Sequence, residues 1–572
     1  GWDRDEWRNG TGPATLHEMY EEGFRRWGPR RYLGWRVEPR IGEGSRVLGE
    51  YKWMTYGEAE EQRTALGSML AGEVAAQGWG RHVGILGGNR PEWVIADQAL
   101  QAHGLVAVAL YETLGAHALE FIVRHAGVAV VLAAGDQIGR LLGVAGACPG
   151  LRCIVALDEL PGGAPVVGVL RAWAGERGVR LVGWGEALAQ GRARRVPFSP
   201  GGPDDTCAIC YTSGTTGDPK GALYTGRMPA CAVRNFAESG IVLDAETVHL
   251  SYLPLAHCYE KTFVSLLGVH GGQIGFGSGD VARLAEDARL LRPHIFLGVP
   301  RVYARMHDAL RAQTVDAPGL RGALARAAVA AKLRALETRG QLRHPFWDRV
   351  LFSRVAAVLG GRVRCFITGS APVDHRVMQL FRVMFSCEFG EGYGATETCA
   401  YGAVLPVRDY SLGGGGRPPT CAWVKLVAVP EMGYGVRGPL PAGELCFKGP
   451  FVFPGYYRDP VRTAEAIDAH GWLHMGDIAA YDPATGKIRI IDRRKNIFKL
   501  SQGEYVAPEH LEGLYDASRW VAQIFVHGDP LQSALVAVVV PEPDAVAAFF
   551  AARHRPVHYG DLERVGLARH GA

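Results

Sequence analysis

Several features are scarce in this 572-residue chain, and each scarcity excludes a class of protein. No apolar run approaches the ~18–20 residues of a membrane-spanning helix, and no signal peptide is visible. Basic and acidic residues nearly balance, at 62 against 58, so the net charge of +4 is too small to imply nucleic acid or an anionic membrane as the main partner. Only nine of the basic residues are lysine, so a lysine within a motif is unusually informative.

Cysteine spacing gives no sign of a disulfide framework or a metal site. The eleven cysteines are scattered, and the one close pair, Cys207 and Cys210, lies in an apolar run without a second pair or a histidine cluster. We interpret this pair as strand thiols in a reducing compartment rather than as zinc or redox chemistry.

The composition is that of a large globular enzyme. Glycine and proline, 76 and 33 residues, make up about 19% of the chain, below the ~25–30% that is typical of low-complexity sequences. At about 150 residues per domain, the length predicts three to four structural units.

The pattern of apolar runs predicts an α/β fold. Short apolar strands alternate with amphipathic helices, as in His82–Gly88 followed by Pro91–Gln101, which indicates layered parallel-type sheets covered by helices. From about Ser411 the strands are short and separated by glycine and proline, which predicts a barrel-like β subdomain over residues 411–492. We therefore expect a large domain over residues 1–492 and a small α+β domain over residues 493–572.

The segment Cys207–Gly221, CAICYTSGTTGDPKG, carries the strongest chemical signal. An apolar strand leads into a loop of hydroxyl and glycine residues, in which small residues let backbone N–H groups approach an anion and lysine adds a positive charge. Proline directly before the lysine, together with the spacing, excludes a Walker A loop. The alternative is a flexible turn between strands. The candidate phosphate-binding residues are Thr212, Ser213, Gly214, Thr215, Thr216, Gly217 and Lys220.

The sequence YTSGTTGDPKG resembles the signature loop of the adenylate-forming enzymes, which include acyl-CoA synthetases, luciferases and peptide-synthetase adenylation domains. The resemblance extends from Asp3–Gly10 to Leu535–Asp544. It is most similar to long-chain fatty acyl-CoA synthetases in the following stretches: Asn89–Val94 (NRPEWV), Leu110–Gly115 (LYETLG), Ser251–Glu260 (SYLPLAHCYE), Gly298–Met306 (GVPRVYARM), Glu391–Thr398 (EGYGATET), Gly471–Ile478 (GWLHMGDI) and Ile491–Glu512 (IDRRKNIFKLSQGEYVAPEHLE).

This resemblance implies a long-chain fatty acid–CoA ligase with ATP, Mg²⁺ and CoA as cofactor and co-substrates. A fatty carboxylate would attack the α-phosphorus of ATP to give acyl-AMP and pyrophosphate, and the thiol of CoA would then displace AMP. Because a carboxylate must approach a polyanion, such a site needs cations and oriented donors.

The resemblance also implies roles for individual residues of the large domain. Glu397 matches the Mg²⁺ ligand, His257 a histidine near the acyl carboxylate, and Asp477 and Arg493 the residues that contact ribose or phosphate. The adenine pocket is matched by Gly369, Ser370, Ala371, Tyr393, Gly394 and Thr396. Judged singly, each has a structural alternative: a helix cap for Glu397, a core residue for His257 or Tyr393, and a turn or a solvated charge for the others.

In the small domain, which in this family is mobile, Lys495 matches the hinge. Lys499 and the turn that contains Gly503, Glu504 and Tyr505 would lie on the side that meets CoA. The alternative for the two lysines is a pair of surface residues on a strand.

The chain also departs from the family pattern. Ala395 stands where this branch usually has glutamine, and Met475 where it usually has threonine. No lysine occurs from Leu500 to Ala572, where the family places a lysine that neutralises the α-phosphate. We therefore expect the chain as given to lack both ends of the full protein and to be impaired in adenylation.

Two alternatives to the ligase remain: a non-catalytic relative that binds acyl groups and nucleotides, or a ligase for a different carboxylic acid. The expected location is the cytosol or the cytoplasmic side of an intracellular membrane such as the endoplasmic reticulum, with peripheral membrane contact. Any membrane anchor would lie upstream of Gly1.

Overall fold

The computed structural model describes most of the chain up to residue 494 and shorter stretches after it. The described residues are 13–37, 49–161, 163–212, 218–371, 373–410, 415–494, 498–499, 505–506, 508–516, 518, 520–528, 534–542, 545–546 and 549–550. They fall into two units, the first formed by Gly1–Trp423 and Lys448–Leu473 and the second by Val424–Phe447 and His474–Ala572. The domain boundary predicted at residues 492–493 stays a prediction, because compactness alone does not locate a hinge.

The strands are numbered here in chain order. They are β1 Arg31–Val37, β2 Glu50–Thr55, β3 His82–Leu86, β4 Val106–Leu110, β5 Val130–Ala133, β6 Cys153–Ala156, β7 Arg180–Val182, β8 Thr206–Thr212, β9 Lys220–Thr225, β10 Val248–Ser251, β11 Gln273–Phe276, β12 Ile295–Gly298, β13 Cys365–Thr368, β14 Glu388–Tyr393, β15 Ala403–Leu405, β16 Trp423–Val427, β17 Ala442–Lys448, β18 Leu473–Asp482, β19 Lys487–Arg493, β20 Phe498–Lys499, β21 Tyr505–Val506, β22 Val521–Gly528 and β23 Leu535–Pro541.

The helices are named by their residues. The α-helices are Leu16–Trp27, Tyr56–Gln77, Pro91–Ala102, Ala116–His125, Gly135–Ala145, Pro165–Glu176, Trp184–Ala193, Arg227–Asn235, Cys258–Val269, Leu284–Leu291, Pro300–Gln313, Gly319–Arg339, Pro345–Trp347, Ser353–Ala357, His375–Phe385, Pro460–Ala466 and Pro508–Asp516. Short 3-10 turns span Phe236–Ser239, Val281–Arg283, Thr396–Thr398 and Pro430–Met432, and a π-helical turn spans Asp348–Phe352.

The first unit contains two mostly parallel sheets. One has seven strands in the order β7-β6-β5-β3-β4-β8-β9, and only the β8–β9 pair is antiparallel. The other has eight strands in the order β15-β14-β13-β12-β10-β11-β1-β2, with antiparallel pairs at its two edges. The central strands are short and fully buried, as in sheets covered by helices on both faces. The predicted α/β class is confirmed.

In the second unit, the region predicted to be barrel-like is a four-stranded sheet with the order β16-β17-β18-β19. Among the described residues this sheet has two free edges and does not close, so the barrel-like description was wrong. Four strands are too few to close a barrel whose interior side chains can fill. The hairpins β20–β21 and β22–β23 follow, with the helix Pro508–Asp516 between them.

None of the described helices combines the length and the apolar character needed to cross a membrane.

A buried cluster of charged and titratable groups lies near the N-terminus of the described chain. The Arg63 guanidinium is fully buried, lies 4.5 Å and 4.8 Å from the ring centres of Phe24 and Phe198, and forms an ion pair of 2.5 Å with Glu21. The His103 ring packs against Phe198, with its centre 5.4 Å away, and neither ring nitrogen has a hydrogen-bond partner in the described structure. Burial, followed by the charge of Arg63, lowers the pKa of His103 to about 4.

This lowered pKa makes the stability of the fold depend on pH. In the unfolded chain His103 takes up a proton below its ordinary pKa of about 6.5, whereas the folded protein resists protonation down to about pH 4. The contribution of His103 is therefore fully present above pH 6.5, and we expect up to about 3 kcal/mol to be lost as the pH falls to 4. Denaturant unfolding at several pH values should show a shallower pH dependence for His103→Leu. The exposed His117→Leu should leave the dependence unchanged, and equal slopes for all three proteins would contradict the assignment.

Candidate functional site

The predicted phosphate-binding loop connects β8 and β9. Thr212 ends β8 and Lys220 begins β9, and the two are direct partners in the antiparallel pair. The two ends of the loop therefore lie side by side, and Lys220 is half-buried. Ser213, Gly214, Thr215, Thr216 and Gly217 lie outside the described residues.

The segment Gly455–Tyr457 adds to the outer edge of β9. The amide of Leu223 donates to the carbonyl of Gly455 at 3.1 Å, and the amide of Tyr457 donates to the carbonyl of Gly221 at 2.7 Å. Tyr456 bridges to Ala222 in this short antiparallel extension. Tyr456, which is far from β9 in the sequence, is therefore held beside the start of this strand.

Tyr456 lies between the loop lysine and the predicted metal ligand. The Lys220 Nζ is 5.0 Å from the centre of the Tyr456 ring, and the Tyr456 hydroxyl donates to Oε1 of Glu397 at 2.5 Å. Burial and the adjacent Glu397 carboxylate raise the pKa of Tyr456 well above its usual value, so the phenol remains a donor at neutral pH. The three side chains form one connected group.

Glu397 lies in the turn Thr396–Thr398, which is held from several directions. Its carbonyl accepts from the amide of Phe453 at 2.9 Å, and the carbonyl of Thr396 accepts from the hydroxyl of Tyr224 at 2.7 Å. A Cβ atom at Gly394 would lie 2.5 Å from the carbonyl carbon of Ala400, so glycine is required there. The departure at Ala395 lies in the same turn, where its amide donates to Oγ1 of Thr398 at 2.9 Å.

The donor set around Glu397 fits one kind of metal ion. Among the described residues, no group of three or more His, Cys, Asp or Glu side chains is placed to hold a metal. A single half-buried carboxylate suits Mg²⁺, which keeps several waters and takes its remaining ligands from phosphates.

The predicted adenine pocket lies at the carboxyl ends of two neighbouring parallel strands. Gly369, Ser370 and Ala371 follow β13, while Tyr393 ends β14, and the strands pair directly at Thr368 and Glu391. Gly369 is buried, and Ser370 and Ala371 are exposed.

Ser370 has a φ of +76°, in the left-handed region that residues other than glycine rarely adopt. Strain of this kind clusters at binding sites, where the surrounding structure over-determines the backbone. The burial of Glu391 also raises the pKa of its carboxyl, two residues before the end of β14.

His257 caps the helix Cys258–Val269. Its Nδ1 accepts from the amide of Tyr259 at 3.2 Å, and burial lowers the pKa of the imidazole, so the ring is neutral at pH 7. A neutral ring that accepts at Nδ1 carries its proton on Nε2, which can donate to a carboxylate. Capping and a role toward the acid are therefore compatible.

Asn89, at the start of the NRPEWV motif, holds the loop that leads to His257. Its Nδ2 donates to Oγ of Ser251 at 2.9 Å and to the carbonyl of Leu253 at 2.6 Å, and its Oδ1 accepts from the amide of Leu255 at 3.0 Å. Because Asn89 follows β3 and Ser251 ends β10, one side chain ties the two large sheets together.

In the second unit, Asp477 and Arg493 are cross-strand partners in β18 and β19. The Arg493 Nε lies 3.7 Å from Oδ1 of Asp477, and the Asp477 side chain is 13% exposed. The resemblance implies that Asp477 and Arg493 both contact the nucleotide. The structure shows that these two side chains are neighbours. The departure at Met475 lies two residues before Asp477 in the same strand.

The candidate residues on the CoA side lie around the β20–β21 hairpin. Lys499 in β20 is the direct partner of Tyr505 in β21. Lys495, Gly503 and Glu504 lie outside the described residues, as does Pro372 of the GSAP turn.

Sequence reasoning missed Tyr456 and the role of Asn89. Tyr456 is 59 positions from Glu397, and only the folded chain shows that they touch. The NRPEWV motif indicated family membership, but its spacing carried no sign that asparagine would bridge two sheets.

Sequence comparisons find similar proteins. A family model described as AMP-binding enzyme matches residues 39–457. Long chain acyl-CoA synthetase 6, peroxisomal, from Arabidopsis thaliana is 41% identical over 555 residues, which cover 96% of this chain and 76% of that protein. Long-chain-fatty-acid–CoA ligase 1 from Homo sapiens is 39% identical over 547 residues, which cover 94% and 75%, respectively.

Solved structures of adenylation domains are also similar to this chain. The A domain of carboxylic acid reductase from Segniliparus rugosus, in complex with AMP and a co-purified carboxylic acid, is 26% identical with a TM-score of 0.75. The match covers 96% of this chain and 85% of that one. The adenylation domain of the carboxylate reductase from Mycobacterium chelonae is 27% identical with a TM-score of 0.78, and the match covers 96% and 82%.

The hydrogen bond between Tyr456 and Glu397 generates a prediction about Mg²⁺. Tyr456→Phe keeps the ring beside Lys220 but removes the donor that orients the carboxylate, and such a bond to a charged acceptor is worth about 1.5–3 kcal/mol. We expect the Mg²⁺-dependent part of the affinity for a nonhydrolysable ATP analogue to fall about tenfold, measured by calorimetry with Mg²⁺ and with chelator.

The matched control is Tyr457→Phe, at the neighbouring tyrosine whose ring packs against His82 and His125. It should bind the analogue as the parent protein does. A Tyr456→Phe protein with unchanged Mg²⁺ dependence would show that Glu397 is held well enough without the tyrosine.

Proposed function

Because the chain belongs to the family of AMP-binding enzymes, we propose that it is a long-chain fatty acid–CoA ligase. The fatty carboxylate attacks the α-phosphorus of ATP, which gives acyl-AMP and pyrophosphate, and the thiol of CoA then displaces AMP to give acyl-CoA. The resemblance drawn from the sequence motifs is confirmed. Relatives of about 40% identity named as acyl-CoA synthetases and ligases favour this reaction over a non-catalytic binding role.

The observation that carries the proposal is the group formed by Lys220, Tyr456 and Glu397. The Lys220 ammonium lies over the Tyr456 ring, and the Glu397 carboxylate accepts from the hydroxyl of the same tyrosine, where the hydroxyl-rich loop ends at β9. We assign Lys220, with the donors of residues 212–217, to the phosphates of ATP, where its positive charge offsets the repulsion between two anionic substrates. Glu397 would hold the Mg²⁺ that enters with the nucleotide and that stabilises the charge of the departing pyrophosphate.

We propose the remaining contacts to the nucleotide from the positions of the candidate residues in the strands and turns. Gly369, Ser370 and Ala371 would lie against the adenine, because they follow a buried strand with little side-chain bulk beside Tyr393. Gly394 and Thr396 shape the same turn. Asp477 is proposed to accept from the ribose hydroxyls and Arg493 to contact ribose or phosphate, and their cross-strand pairing supports a shared ligand.

His257 is proposed to orient the fatty acid. Its neutral ring carries a proton on Nε2 that can donate to the carboxylate, while Nδ1 is engaged by the helix it caps. The bond fixes the ring without adding a charge, which leaves the carboxylate nucleophilic.

The second step is proposed to use the C-terminal residues. Lys495 would be the hinge, and Lys499, Gly503, Glu504 and Tyr505 would lie on the side that meets CoA. The pairing of Lys499 with Tyr505 across the β20–β21 hairpin supports treating them as one surface. Rotation about a hinge would let one site serve both steps.

We place the enzyme inside the cell, in the cytosol or on the cytoplasmic side of an internal membrane. The eleven cysteines are free thiols, which suits a reducing compartment. The names of two plant relatives include the word peroxisomal, which makes an intracellular organelle a further location to test.

Lys220→Ala tests the assignment of the phosphate site. Loss of this charge should weaken binding of a nonhydrolysable ATP analogue at least tenfold and slow palmitoyl-CoA formation by about 100-fold. Calorimetry and chromatography of the product measure the two effects. Lys52→Ala, at an exposed lysine in β2, is the control and should match the parent protein. Unchanged binding by Lys220→Ala would overturn the phosphate role.

The same assay with different acids tests the substrate class. We expect ATP consumption and acyl-CoA formation with palmitate or oleate to exceed those with octanoate or benzoate at equal concentration. A preference for benzoate would instead favour a ligase for another carboxylic acid.

A further inference from the structure

Charge is distributed unevenly along the chain, and one segment carries the excess. Residues 319–354 contain eight basic and two acidic residues, a net charge of +6, whereas the whole chain has only +4. The rest of the protein is therefore net negative. One of the two acids, Asp348, is already engaged, because the buried Lys332 Nζ lies 2.6 Å from its Oδ1. Seven exposed arginines are left with Glu337 as the other acid of the segment: Arg321, Arg326, Arg334, Arg339, Arg343, Arg349 and Arg354.

The helix Gly319–Arg339 exposes large apolar side chains among its charged ones. Its inner face is buried and includes Ala325, Val329 and Leu336. The outer face is made of alanine and leucine with arginines among them, and Leu320 and Leu324 are 83% and 55% exposed. Exposed apolar side chains bordered by polar ones mark surfaces that bind a protein or a membrane.

The residues that follow continue this composition. Phe346 and Val350 are 57% and 52% exposed, and they alternate with the exposed Arg343 and Arg349. The ion pair of Lys332 with Asp348 fastens this stretch to the helix. Exposed apolar side chains and exposed arginines therefore occur together on one packed substructure.

We propose that the exposed side chains of residues 319–354, here called the arginine–leucine surface, dock on a lipid bilayer that contains anionic phospholipids. Guanidinium groups bind phosphates in bidentate fashion, and each basic residue near an anionic membrane adds about fivefold to the affinity. Leucine and phenylalanine side chains enter the boundary between headgroups and acyl chains, as in interfacial helices.

The composition favours a bilayer over a protein partner. Protein–protein interfaces also contain arginine, but this segment combines exposed apolar side chains with a net charge of +6, the basic amphipathic pattern that binds anionic headgroups. A headgroup layer accepts both kinds of side chain at once, because long arginine side chains can lie along apolar surface while their charge stays among phosphates. The docking itself does not depend on the proposed reaction. If the chain is the proposed ligase, it would take up its long-chain acid from the membrane in which that acid is dissolved.

Vesicle co-sedimentation, without ATP, CoA or fatty acid, tests the proposal. The full protein should bind vesicles of phosphatidylcholine with about 30% phosphatidylserine at least tenfold more tightly than pure phosphatidylcholine vesicles. Raising the salt from 0.1 M to 0.5 M should weaken this binding, because screening shortens the reach of the charges. Equal binding to both kinds of vesicle, or no binding to either, would overturn the proposal.

Two sets of variants locate the contact. The triple change Arg321→Gln, Arg334→Gln and Arg343→Gln should weaken binding by about 100-fold, and Leu320→Ser with Leu324→Ser by about tenfold. The Arg→Lys version of the triple variant keeps the charge and should retain most of the binding. Unchanged binding by both the arginine and leucine variants would assign the membrane contact elsewhere and contradict the proposal.

Matched controls come from another exposed helix and from other exposed arginines. Val166→Ser with Val169→Ser, at positions 64% and 65% exposed, and Arg152→Gln with Arg194→Gln should bind vesicles as the parent does. Equal losses in control and test variants would also overturn the proposal. Activity with octanoate, a soluble acid, should be the same in all these variants, so failure of the ligase assay and failure of membrane binding can be told apart.

Discussion

The candidate site depends on a few backbone hydrogen bonds between residues that are far apart in sequence. The bonds between Gly221–Leu223 and Gly455–Tyr457 attach a distant segment to β9, and through it Tyr456 reaches both Lys220 and Glu397. Tyr224, also in β9, donates to the carbonyl of Thr396, so β9 is joined to the Glu397 turn both directly and through Tyr456. Because backbone bonds do not depend on side-chain identity, the frame stays fixed while the side chains on it carry the chemistry.

A second constraint joins the two large sheets near His257. Asn89 uses both ends of its amide to hold the loop from Ser251 to Leu255, and the fully buried pair of His249 and Glu260, 2.9 Å apart, ties β10 to the helix that His257 caps. Buried polar groups are costly unless they are satisfied, and their bonds are correspondingly specific. Together these contacts fix the loop before His257 and the first turn of the helix after it.

The sequence predicted most of the first unit because its strands are short apolar runs bounded by helices with clear starts. The predicted helix Pro91–Gln101 ends one residue before the observed helix, and the predicted strand His82–Gly88 starts with β3 and ends two residues after it. The helix Gly319–Arg339 was not predicted, because alanine and leucine occur on both its inner and its outer face. Its sequence therefore shows no clear 3.6-residue alternation of apolar and polar residues. The prediction of a barrel-like region was wrong for another reason. The spacing of strands in the sequence indicates antiparallel structure but does not show whether the sheet closes on itself.

The edge position of β9 has a consequence for solubility. An open edge strand exposes unpaired N–H and C=O groups that can template pairing with another chain. Gly455–Tyr457 occupies that edge at residues 221–223, and Arg458, with a φ of +53°, turns the backbone away directly afterwards. The same short segment that delivers Tyr456 to the site therefore also shields the seven-stranded sheet from edge-to-edge aggregation.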